Sequence, residues 1–155
     1  MNNIRYCLIS PTVLKLEYNV DDNLDDKYLL SNIIKGEDFI IKKILTEEKY
    51  NELTTQIFKQ SVSADNEKLI KQYIKPCLAY YVLSEVVYST AYKMKNNPDY
   101  QNNPSSSERF NELVRVSKHY LNDSKQYEEL LKEYMCDNSI TKNEEYKFKS
   151  SLYLG

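Results

Sequence analysis

Glycine occurs only at Gly36 and Gly155, and proline at four positions, in a chain of 155 residues. A sandwich or barrel of many short strands reverses direction again and again, and it draws on those two residues at its turns. So sparse a supply disfavours an all-β fold and points to a mainly α chain. At this length one domain with one core is expected. Hydrophobic residues make up 41% and charged residues 28%, which is ordinary for a folded domain and too apolar for a disordered one.

Apolar spacing then places the elements. Ile4, Tyr6 and Leu8 alternate with Arg5, Cys7 and Ile9 up to Ser10-Pro11, the pattern of a short edge strand. Thr12 to Tyr18 reads as a single helical turn capped by Thr12. The acidic run Asp21 to Asp26 suits the positive end of a following helix. That helix spans about Asp26 to Ile44, with Leu30, Ile33, Ile34, Ile40, Ile41 and Ile44 on its inner stripe. Gly36 inside it implies either a bend or the close approach of another backbone. Thr46 caps a second helix carrying Tyr50, Leu53 and Ile57, with Phe58 at the edge of that face.

A third helical region runs from about Asp65 to Met94. Pro76 predicts a kink or a break within it, and the nearly all-round apolar stretch Cys77 to Val87 marks it as the central helix. Asn96 to Ser107 is a loop. A capping box, Ser105 with Glu108, opens the long helix that follows, whose stripe from Phe110 to about Met135 is nearly heptad. Ser117 and Ser124 interrupt that stripe and are expected to weaken any long coiled coil. From Asp137 the helical pattern stops, and Tyr146, Phe148, Leu152 and Leu154 alternate with Lys147, Lys149 and Tyr153. The expected architecture is a bundle of about four helices over residues 1–136, with a short N-terminal strand, and an extended tail over 137–155.

The chemical inventory is thin. With 21 basic and 23 acidic residues interspersed, the chain lacks the basic face that binding nucleic acid requires. No apolar run is long enough to span a bilayer, and Met1 to Arg5 lacks a signal-peptide stretch, so the chain is expected to start life in the cytoplasm. Cys7, Cys77 and Cys136 are odd in number and far apart, as expected of free buried thiols. His119 is the only histidine, and no ligand spacing joins it to a cysteine. The acidic run lacks the glycine and distal glutamate of a calcium loop. No glycine loop exists to cradle a phosphate, and the lysines around Lys42-Lys43 and Lys68 to Lys75 read as solvated helix faces. The expectation is a protein that is not an enzyme and takes no metal or cofactor. Fifteen tyrosines suit half-wet protein contacts.

Several stretches carry a resemblance: Val20-Asp21-Asp22, Tyr28 to Ile34, Ile40 to Leu45, Tyr50 to Leu53, the run Tyr73-Ile74-Lys75-Pro76-Cys77-Leu78-Ala79-Tyr80-Tyr81, a serine-rich loop, a long helix and the closing Leu152-Tyr153-Leu154-Gly155. In their order they resemble the small helical head-tail connector proteins of tailed phages, most of all the connector-ring proteins of crAss-like phages. Lys35-Gly36 and Leu45-Thr46 depart from pairs frequent in those proteins. The resemblance implies a structural virion protein without substrate or cofactor. It would form a ring of its own copies under the portal, dodecameric to match it, hold the DNA channel continuous and contact neighbouring connector or tail proteins. DNA would only pass through. In such a ring the tail residues Tyr146, Phe148, Leu152, Tyr153 and Leu154 are expected to lie along a neighbouring subunit, by strand addition. A small helical regulatory protein that binds a host or phage partner through its tyrosines is the alternative.

Overall fold

The computed structural model describes residues 5–103 and 105–153, with side chains through Asn138. Among these residues there are six helices and no strand. They are α1 (Pro11–Glu17), α2 (26–44), α3 (Glu47–Phe58), α4 (64–95), α5 (Pro98–Gln101) and α6 (Ser106–Tyr153). The mainly α expectation holds.

Local chemistry explains most boundaries. Ser10, not Thr12, caps α1: its hydroxyl accepts from Val13 N–H, with Pro11 in the first turn, where its missing N–H costs nothing. Asp25 caps α2 by accepting from Lys27 N–H, so the acidic run acts as a cap, and Thr46 caps α3 through Lys49 N–H. At α6 the expected capping box gives way to another arrangement. The backbone N–H and hydroxyl of Ser105 both donate to Asn103 Oδ1, which binds Ser105 to the loop and not to Glu108.

Two wide π turns lie inside the long helices. In α2 the turn Glu37–Ile41 bonds Lys42 N–H back to Glu37 O. In α4 the turn Ile70–Ile74 bonds Lys75 N–H to Ile70 O, immediately before Pro76. Proline there brings no donor and pushes against the preceding carbonyl. The extra residue absorbs that push, so the helix is not broken at Pro76, and the expected distortion takes the form of a π turn just before it.

Residues 5–9 form no strand, and Ile4 lies outside the described residues. A strand needs a ladder partner, and this segment instead fastens itself through side chains. The predicted extended tail is also corrected. Helix α6 continues through Tyr153. Residues 106 to 153 contain neither glycine nor proline, so nothing in the backbone stops the helix once it has started. Alternating aromatic residues alone do not make a strand without a sheet to join.

The core gathers Leu14, Leu29, Ile33, Ile41, Leu53, Leu69, Ile74, Leu78, Val82 and Leu131, all fully buried. Leu30, placed inward by spacing, is exposed while Leu29 faces in, and Phe58 is exposed as well. Helix α2 lies across α4, where a Cβ on Gly36 would meet Leu78 Cδ2 and Tyr81 Cδ1 at 2.9 Å. The glycine therefore admits side chains, not a second backbone. Alanine would gain ~1 kcal/mol of helix propensity but overpack a site already filled by Leu78 and Tyr81, at a cost of about 1–3 kcal/mol. Gly36→Ala is thus expected to destabilise by about 1 kcal/mol net, read as a lower urea midpoint at unchanged slope.

The α4–α6 contact is the spine of the molecule. Ser117 Oγ donates to Ser84 O at 2.9 Å and Ser124 Oγ to Cys77 O at 2.8 Å. Both pairs are seven residues apart on each helix and run in opposite directions, so the helices are antiparallel. Ser117, Ser124, Cys77 and Ser84 are all buried. Hydroxyls can reach a neighbouring backbone only if the helices approach closely, and small residues permit that. The two serines, expected to weaken the pairing, mark its closest approach.

Candidate functional site

The residues that sequence singled out for chemistry are not brought together. His119 is largely exposed on α6, with Nε2 3.8 Å from Asp123 Oδ2. It borders an open depression with Tyr80, Arg115, Val116 and Tyr120. Cys77 is buried on the α4–α6 spine against Ser124, and burial pushes its thiol up to about 11. Cys7 is half-buried and its thiol is likewise raised to about 11 by burial. Both are protonated at neutral pH and poor nucleophiles. Cys136 is exposed, contrary to the expectation that all three thiols are buried. Among the described residues no three His, Cys, Asp or Glu side chains form a group that could hold a metal. No helix among them is long and apolar enough to cross a membrane.

What the fold does assemble is an aromatic flank beside the spine. Tyr120, Tyr127 and Tyr134 recur every seven residues on α6, and Tyr73 and Tyr80 do the same on α4. The heptad spacing therefore lines them along one edge. Tyr80 stacks between Tyr127 at 5.8 Å and Tyr120 at 6.2 Å, with planes within 17° and 21°. Tyr18 meets it edge-on at 5.8 Å, and Tyr73 pairs with Tyr134 at 4.7 Å. All six are half-buried, their rings against one another and part of each surface in water. Such a flank is apolar in body and polar at its rims, the combination that protein contacts favour.

A second feature escaped sequence reasoning. Glu37 is fully buried, at the start of the π turn of α2 and one turn after Ile33, to whose carbonyl its N–H is bonded. One carboxylate oxygen accepts Leu8 N–H; the other accepts Tyr50 OH at 2.7 Å and lies 3.4 Å from an Arg5 nitrogen. Arg5 also pairs with Asp38 Oδ1 at 2.7 Å, and with Lys42 it holds the Asp38 carboxyl down to about 2. Burial raises the Glu37 carboxyl above its ordinary range, with Tyr50, Leu8 and Arg5 only partly offsetting it. The available signal was spacing: Glu37 stands four residues from both Ile33 and Ile41, on the inward stripe.

The fold defines a helical protein with a close antiparallel pair, α4 and α6, and one aromatic flank beside it. The chain belongs to the family described as a family of unknown function (DUF6712), which it matches over residues 41–152. No curated protein and no solved structure matches it. The matched region begins at the end of the π turn in α2 and holds the spine and five of the six tyrosines of the flank. Arg5, Leu8 and Glu37 lie outside it.

Proposed function

We propose that this chain is a structural virion protein of a tailed phage, forming a ring in the head-tail connector beneath the portal, holding the DNA channel continuous and docking the tail. In this reading its partners are its own copies, the portal and neighbouring connector or tail proteins, and it binds no substrate or cofactor. The observation that carries most weight is the length of α6. Its 48 residues extend about 72 Å at 1.5 Å per residue. Its antiparallel partner α4 begins at Ala64, which by the pairing of Cys77 with Ser124 stands opposite residue 137. The last residues of α6 thus continue beyond the start of α4. A helix that outruns its partner is suited to reach a neighbouring subunit, and head-to-tail contacts of that kind close into rings.

Four long helices, α2, α3, α4 and α6, would form the body of each subunit. Tyr146, Phe148, Leu152 and Tyr153 remain the proposed contact, now as positions on a helix; Leu154 lies outside the described residues. Helix-to-subunit packing replaces strand addition as the mode of contact. Deleting residues 140–155 is expected to leave a helical, cooperatively unfolding chain that no longer enters particles. Normal assembly of the truncated chain, or a particle map in which this segment packs wholly on its own subunit, would refute the proposal.

A further inference from the structure

The tyrosine flank keeps part of its surface in water, and the open depression beside Tyr80 and Tyr120 is rimmed by Arg115, Val116, His119 and Asp123. Arg115, Lys118 and His119 are exposed, and Asp123 is half-buried. Along α6 the flank therefore presents cationic and imidazole groups first and a carboxylate one turn after them.

The end of the same helix carries a matching pattern. Tyr146 and Tyr153 stand seven residues apart, as Tyr120 and Tyr127 do. Two carboxylates, Glu144 and Glu145, come one turn before the cation Lys149. Helices packed in parallel keep one heptad level with another. With Tyr146 set level with Tyr120, Tyr153 falls level with Tyr127, Glu144 with Lys118, Glu145 with His119 and Lys149 with Asp123. In the antiparallel setting, Tyr146 against Tyr127 and Tyr153 against Tyr120, Glu144 would meet Glu129 and Glu145 would meet Glu128. Like charges set against each other oppose association, so charge selects the parallel direction.

We propose that the flank around Tyr80, Tyr120 and Tyr127 is the seat for residues 140–153 of a second copy, laid parallel to the receiving α6 at that register. The proposal rests on the ring reading above and names the surface that receives the end of α6. The register also gives both bodies room. In the donor, residue 137 stands opposite the start of α4, and it falls level with Asn111, within the first two turns of the receiving α6. The bodies meet end to end, and only the donor's final turns run along the flank. Donor and receiving surfaces differ, so each copy gives one contact and takes another, as the members of a ring do.

Disulfide trapping in the purified full chain tests this. His119 and Glu145 lie about 39 Å apart on one helix at 1.5 Å per residue, so cysteines at these positions can join only two different chains. Oxidation of His119→Cys, Glu145→Cys at high protein concentration, with exposed Cys136 replaced by serine, is expected to give a ladder of linked oligomers that neither single variant gives. Asp123→Cys, Lys149→Cys, at the same register, should give the same ladder; Glu128→Cys, Glu145→Cys, at the antiparallel register, should not. In the Asp123–Lys149 pair, adding Arg115→Glu and Lys118→Glu should lower the yield about tenfold, and adding Glu144→Lys and Glu145→Lys to these should restore it. No ladder from either parallel pair, or a ladder from the antiparallel pair, would overturn the proposal. The ring reading has a separate readout: if removing residues 140–155 abolishes entry into particles while neither parallel pair links, the end of α6 docks on another partner and only this seat is wrong.

Discussion

Leu78→Ala is expected to cost about 2–5 kcal/mol of stability. Leu78 is fully buried in α4, and its Cδ2 lies 2.9 Å from where a Cβ on Gly36 would be. Removing the side chain forfeits its transfer free energy and leaves a cavity between two helices that are fixed elsewhere by Tyr81 and the spine. Neither helix can collapse far to fill it. Urea unfolding would show a lower midpoint with the slope preserved; a loss below ~0.5 kcal/mol would put Leu78 at the surface instead. The double variant Gly36→Ala, Leu78→Ala provides a sharper check. The new methyl group would enter the space that the leucine vacated, so the two effects should sum to less than their separate costs.

Ser124→Leu is expected to destabilise by about 2–3 kcal/mol, by overpacking together with the loss of a buried hydrogen bond. The direction is the informative part. In an ordinary coiled coil a leucine at such a seam position replaces a poor residue with a favoured one and stabilises. Here Ser124 is 1% exposed and its hydroxyl reaches Cys77 O at 2.8 Å, so no room exists for a branched side chain unless α4 and α6 separate. Ser124→Ala, which removes only the hydroxyl, should cost about 1 kcal/mol. If Ser124→Leu raised the unfolding midpoint, the close approach of the two helices would be wrong.

Much of the helical layout was legible because strong periodicity is a local property. The stripes of α2, α3 and α4, the cap at Thr46 and the burial of Cys77, Leu78 and Tyr81 all follow from spacing and helix-end chemistry. What escaped depended on partners far away in sequence. Glu37 reads as a surface residue by its type until Leu8, Arg5 and Tyr50 are brought around it. Residues 5–9 alternate as a strand would, but their partner is a carboxylate and not another strand. Ser117 and Ser124 look like flaws in a heptad until the facing carbonyls of Ser84 and Cys77 are seen. The end of α6 was misread for the opposite reason, since an alternating aromatic pattern was given more weight than the absence of any helix breaker. His119 and the three cysteines were singled out by residue type alone, and the fold leaves them apart.

The two serine-to-carbonyl bonds of the spine repeat at the heptad interval, so by themselves they would tolerate a sliding error. Shifting α6 by seven residues, about 10.5 Å, would set one serine against the other's carbonyl and preserve a bond of the same kind. The bulky residues flanking them on α6 prevent this. Leu131 stands seven residues beyond Ser124, and Phe110 seven before Ser117. A slip in one direction would drive Leu131 against Cys77, and a slip in the other would drive Phe110 against Ser84, each at a point where only a small side chain fits. The helix pair thus behaves like a ruler with a stop at each end, which fixes how far the end of α6 reaches past α4.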